Sequence, residues 1–174
     1  MSKNNIEPAK FMAVGETIDR IYDTKGNLVE EIKGHNIVVN SFLKVITSLI
    51  KNVSNPTANP QKITWYVGNG NKAPTVNDNT LNNIIGSKEV SDIRFIDPDT
   101  NAESELPTTA IQISCIFNAN ECNGNWSEFA LALATTSESC LLIDRRVHSP
   151  IVKDSEMVIE RVLRLKLELG TIEE

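Results

Sequence analysis

Residues 161–169 read Arg-Val-Leu-Arg-Leu-Lys-Leu-Glu-Leu, and no other stretch restricts the fold as tightly. In an extended chain Leu163, Leu165, Leu167 and Leu169 share one side, and Arg164, Lys166 and Glu168 share the other. A helix would scatter the leucines around its axis, so the segment is expected as a strand with one face in a core and one in water. Residues 110–117 repeat the pattern, with Ile111, Ile113, Cys115 and Phe117 inward. Residues 63–67 are β-branched and aromatic and stop at Gly68. Phe129, Leu131 and Leu133 alternate with alanines, which suggests a strand covered on both faces. Residues 90–96 and 141–147 are further candidates. Near the front, 16–22 and 28–32 flank Asp23-Thr24-Lys25-Gly26-Asn27, a hairpin turn in which Gly26 or Asn27 takes positive φ.

One segment departs from period two. Phe42, Val45, Ile46, Leu49, Ile50 and Val53 follow helical spacing, Asn40 or Ser41 is placed to cap the first turn, and Pro56 and Pro60 forbid a long continuation. A short helical turn is expected over 77–84. Crossover helices are missing, so the expected fold is mainly β: a two-sheet, antiparallel, jelly-roll-like β-sandwich with one amphipathic α-helix. Residues 1–14 are expected as an extended N-terminal arm and 15–174 as a single sandwich domain, with polar loops at 52–60 and 97–105.

The chain has 174 residues and a net charge of −6, with no Lys/Arg-rich run, which makes nucleic acid a poor partner. No apolar run is long enough to span a bilayer, no membrane partner is expected, and the start of the chain lacks the apolar stretch of a signal peptide. Cys115, Cys122 and Cys140 are read as free thiols. A zinc site from Cys122, Cys140 and His148 lacks a CxxC unit to anchor it.

Several motifs invite functional readings. Gly68-Asn69-Gly70-Asn71 follows a strand, but Ala73 and Pro74 break the nucleotide-binding fingerprint, so a tight turn needing positive φ is expected. Asp144, His148 and Ser149 do not make a triad, because strand neighbours alternate between faces and no nucleophile elbow is present. The acidic loop Asp97-Pro98-Asp99-Thr100-Asn101 lacks the central Gly and terminal Glu of an EF-hand calcium loop. Trp126 is expected to cap the core, with Glu128 pointing the same way. A buried Glu128 wants a donor: Arg145, Arg146 or the backbone amides of a nearby turn. No catalytic residue, metal or cofactor is expected.

Five segments in order carry a family resemblance: 36–40 opening a helix; Val67-Gly68-Asn69-Gly70 with Pro74 beyond; Asp78-Asn79-Thr80-Leu81; Asn123-Gly124-Asn125-Trp126-Ser127-Glu128-Phe129-Ala130-Leu131; and Arg146-Val147-His148-Ser149-Pro150-Ile151-Val152-Lys153. Over residues 30–169 the chain resembles a group of small phage and prophage virion proteins, usually associated with tail, fibre or neck. Phe129 and Ala130 stand where that group has smaller residues. The resemblance implies a structural virion component, made in the host bacterial cytoplasm, that forms homo-oligomers and binds other virion proteins. The turn and motif positions it marks are Gly68, Gly70, Pro74, Trp126, Glu128, Arg146 and Pro150. The alternatives are a carbohydrate-binding sandwich for host attachment, which would need exposed aromatics, and a capsid decoration protein.

Overall fold

The computed structural model describes residues 9–53, 62–134 and 140–171. Along the chain these form β1 (Ala9–Asp23), β2 (Leu28–Val38), α1 (Phe42–Val53), β3 (Ile63–Gly68), β4 (Ile84–Glu89), β5 (Asp92–Ile96), β6 (Glu103–Ser104), β7 (Ala110–Phe117), β8 (Gly124–Ala134), β9 (Cys140–Lys153) and β10 (Met157–Thr171). The fold is mainly β, and every strand pairing is antiparallel.

The strands run as one hydrogen-bonded order, β4-β3-β8-β9-β2-β1-β10-β7-β5-β6, rather than as two unlinked sheets. That order curls back on itself. β4 ends it on one side and β5 lies next to the other end, yet the two are joined by residues 90–91 alone. Val90 N–H donates to the Ile63 carbonyl of β3, and Ser91 N–H donates to the Ser114 carbonyl of β7. The strand expected over 90–96 is β5 at 92–96, with residues 90–91 forming the corner that leads into it from β4. β4 escaped the sequence reading because Ile84-Ile85-Gly86-Ser87-Lys88-Glu89 has no alternation.

The concave face holds one continuous core, including Trp65, Ile113, Cys115, Phe117, Trp126, Phe129, Leu131, Ile159, Leu163 and Leu165. β8 is buried on both faces, as its alanines suggested. Ala130 and Ala132 meet Leu81, Leu142, Val39 and Tyr66 in a smaller cluster on the convex side.

The hairpin falls where the turn residues placed it. Gly26 has φ +84°, and the Asp23 carboxylate accepts from the Lys25 and Asn27 amides. The helix also forms, but neither expected cap side chain caps it. Asn40 Nδ2 donates to Asn77 Oδ1, and Ser41 Oγ donates to the Leu142 carbonyl, so both tie the helix start to neighbours. Residues 77–83 carry turns and bends instead of a helical turn, because Asp78 closes a loop onto Thr75 and Arg145. Residues 9–14, expected as part of a free arm, are the first part of β1 and pair with β10 throughout. Residues 1–8 and 54–61 lie outside the described residues, so those parts of the expected arm and loop are not placed.

Candidate functional site

Of the motif positions, Gly68 and Gly70 gather around the buried carboxylate of Glu128, with Pro74 in the same connection, whereas Trp126, Arg146 and Pro150 lie elsewhere. The β8–β9 ladder is interrupted between Trp126, which faces Ile151, and Glu128, which faces Val147, so that three residues of β9 stand against the single Ser127 of β8. At this irregularity the two side chains go to opposite faces, which corrects the expectation that they point the same way. Trp126 enters the core, edge-on to Phe117, with its indole N–H on the Cys122 carbonyl at 2.7 Å. Glu128 enters the convex side beneath residues 69–83. On β9 the bulge takes up His148, Ser149 and Pro150. Pro150 has no amide to offer a partner strand, and it sits exposed where the ladder is interrupted.

Glu128 is fully buried and has partners on both oxygens. Oε1 accepts from the backbone amides of Gly70 (3.1 Å), Asn82 (2.9 Å) and Asn83 (3.0 Å). Oε2 accepts from Arg145 Nε (3.2 Å) and Nη2 (2.8 Å). Arg145 is itself buried; it extends to Asp78 Oδ2 at 2.6 Å and the Lys72 carbonyl at 3.0 Å. Burial pushes the Arg145 pKa down, but the bonds to Glu128 and Asp78 prevail and hold it above its ordinary value. For Asp78 burial acts upward, and the Thr75 and Arg145 bonds prevail in holding its carboxyl low. One carboxylate and one guanidinium therefore pin both ends of the 69–83 connection to the sheet.

This explains the glycines, and differently from the expected positive φ, which neither Gly68 nor Gly70 adopts. A Cβ on Gly70 would lie 2.3 Å from Glu128 Oε1, and one on Gly68 would lie 2.4 Å from the Asn83 carbonyl. Glycine is needed there for close approach. Pro74 lies half-buried within the pinned connection.

Arg146 belongs to a different group. It faces the concave side, bonding Thr17 Oγ1 and the Lys33 carbonyl, and a Cβ on Gly34 would strike its guanidinium. Nearby, Asp19 of β1 and Arg161 of β10 form a buried two-point pair at 2.6 and 2.9 Å. Arg161 lies 4.1 Å over the Phe129 ring and 5.3 Å from that of Trp126. Asp144, wholly buried, accepts from the Leu131 amide at 2.8 Å and from Asn36 Nδ2. Burial raises its pKa to about 7. Burial, reinforced by Arg161, pushes His148 down to about 4. Asn36 Oδ1, Trp65 Nε1, His148 Nε2 and Arg161 Nη1 are buried without a hydrogen-bond partner among the described residues.

The sequence reading missed the Asp19–Arg161 pair. Its only signal is that Arg161 shares the parity of Leu163, and Asp19 that of Ile21. Asp144, His148 and Ser149 do not assemble a relay: His148 Nδ1 meets the Ser149 carbonyl, not its hydroxyl. Cys122 Sγ rests against the Ser87 carbonyl. In the acidic loop, Asp97 binds the amides of Asp99 and Thr100 and closes the turn. Among the described residues, no group of three His, Cys, Asp or Glu side chains gathers as a metal site, and no helix is long and apolar enough to cross a membrane. No family model, curated protein or solved structure matches this chain.

Proposed function

We propose that this chain is a structural component of a bacteriophage or phage-tail-like particle (tail, fibre, baseplate or neck) that acts by assembling with copies of itself and with other virion proteins. In this reading the curled sheet works as the two facing leaves of a jelly-roll-like sandwich. β4-β3-β8-β9 form one leaf and β2-β1-β10-β7-β5-β6 the other.

The observation that carries the reading is the free end of the β1–β10 ribbon. β2 leaves β1 at Gly15, its last pair being with Asn36, to join β9 instead. β7 stops pairing with β10 at Lys166. The four pairs from Ala9↔Thr171 to Met12↔Glu168 therefore run on with no third strand on either side among the described residues. On one face Phe11 is 42% exposed and its partner Leu169 is 77% exposed. A two-stranded ribbon with open edges and bare apolar side chains is marginal alone, and it is a template for strands of a neighbouring subunit. The Glu128 site supports the same view: both of its oxygens hold the shape of a surface connection.

The double variant Phe11→Lys, Leu169→Lys tests this. Sedimentation velocity should show the oligomer of the native chain reduced to monomer, with an unchanged far-ultraviolet circular dichroism spectrum. An unchanged sedimentation coefficient, or a native chain already monomeric at all concentrations and failing to enter particles, would count against the reading.

A further inference from the structure

The chain holds two Asn-Gly dipeptides, Asn69-Gly70 and Asn123-Gly124. Such a pair is able to react with itself, because glycine has no Cβ to keep its nitrogen from the carbonyl carbon of the preceding side chain. The fold treats the two pairs in opposite ways.

At Asn69 the nucleophile is withheld. Gly70 is buried, and its N–H donates to Glu128 Oε1 at 3.1 Å. That carboxylate pins the nitrogen and opposes negative charge on it. Asn69 Oδ1 accepts from Asn83 Nδ2, a neutral donor.

At Asn123 the carbonyl is activated instead. Lys153 is 2% exposed and places Nζ 2.8 Å from Asn123 Oδ1. That is the spacing of a donor for an oxyanion. The other oxygens around the ammonium are the carbonyls of Asn118, Ala119 and Asp154. No carboxylate lies within ion-pair distance of it among the described residues. Glu121 is turned to Lys88 and the Asn118 amide, and the Asp154 carboxylate to the Glu156 amide. A buried cation without a counterion favours a step that builds negative charge on the oxygen it touches. Asn123 is exposed, so water reaches it, and Gly124 has φ +146°, a conformation that suits glycine.

We propose that Asn123 is a self-modification site, where the side-chain amide is lost with the Gly124 nitrogen as nucleophile and the Lys153 ammonium polarising the carbonyl. The Gly124 nitrogen gives up its proton to water and bonds to Asn123 Cγ. Negative charge collects on Oδ1, against Lys153. The Cγ–Nδ2 bond then breaks, and Nδ2 takes up a proton and leaves as ammonia. A succinimide ring remains. Water adds to one of its two carbonyls and opens it, which leaves aspartate, or isoaspartate with the main chain routed through Cβ. The aspartate product gives Lys153 the carboxylate it lacks.

Peptide mapping by mass spectrometry on the full chain, incubated at mildly alkaline pH, tests this. Asn123 should convert about tenfold faster in the folded chain than in the same chain unfolded in urea. Asn69 should convert about tenfold slower folded than unfolded. Conversion of Asn123 no faster in the folded chain than in the unfolded one overturns the proposal. So does a lasting loss of ammonia that joins Lys153 to Asn123 in one peptide, because the lysine would then be the nucleophile. Asn123→Asp writes in the product directly and should raise the thermal midpoint by about 2–4 °C. A lower midpoint refutes the part given to Lys153.

Discussion

Two buried carboxylates show how surroundings set the role of a residue. Glu128 has five donors, two of them from a buried guanidinium. Removing its charge leaves the buried Arg145 with Asp78 as its one anionic partner and sets an amide group against an N–H donor. Glu128→Gln should lower the unfolding free energy by about 3–5 kcal/mol in urea titration, with the same fold retained. Gly70→Ala should lose about 1–3 kcal/mol, because the new methyl group pushes the same carboxylate off its amides. Asp144 and His148 act through pH. Asp144 has a raised folded pKa, so its contribution is complete below the ordinary aspartate pKa and is lost as pH climbs toward 7. His148 has a lowered one, so its contribution is complete above the ordinary histidine range and is lost as pH falls toward 4. Between about pH 4 and the ordinary histidine range the two contributions oppose each other and largely cancel in the thermal midpoint. His148→Gln should uncover the Asp144 loss, so that its midpoint falls as pH rises from about 4 toward 7, and a flat profile in the variant would remove His148 from the account.

At the level of elements, β8 is an interior strand between β3 and β9, and its two-faced burial makes a definite demand on size. Ala132 is fully enclosed against Leu81 and Leu142. Ala132→Leu should cost about 1–3 kcal/mol by overpacking, where the same change on an exposed strand face would be nearly neutral. Lys153, at the end of β9, holds the carbonyls of Asn118 and Ala119 and Asn123 Oδ1 with its buried ammonium. Lys153→Met should destabilise by about 1–3 kcal/mol and speed proteolysis within 118–123. Much of this was legible in the sequence. Alternation gave β7 to the residue and placed β10 around Leu163 and Leu165, and the turn residues gave the β1–β2 hairpin. The demand of a buried Glu128 for Arg145 or for turn amides was readable too, and both are present. What period two cannot encode is a change of partner or of face. The corner at 90–91, the bulge that separates Trp126 from Glu128, and the departure of β2 from β1 depend on contacts between segments far apart in sequence. Gly68 and Gly70 likewise look like turn glycines until the carboxylate that crowds them is placed.

For the whole molecule, the curled antiparallel sheet buries two ion pairs, Glu128 with Arg145 and Asp19 with Arg161, yet among the described residues it leaves one ribbon end bare. Cys115 lies in the core with burial raising its thiol pKa to about 11, and Arg161 lies over an aromatic pair. The account therefore stands or falls on whether the molecule exists to meet other subunits. Size-exclusion chromatography with multi-angle light scattering on the full chain measures this most directly. The prediction is a discrete species whose mass is a multiple of 19.3 kDa. A sole 19.3 kDa monomer across all accessible concentrations, and one that binds glycans, would contradict it.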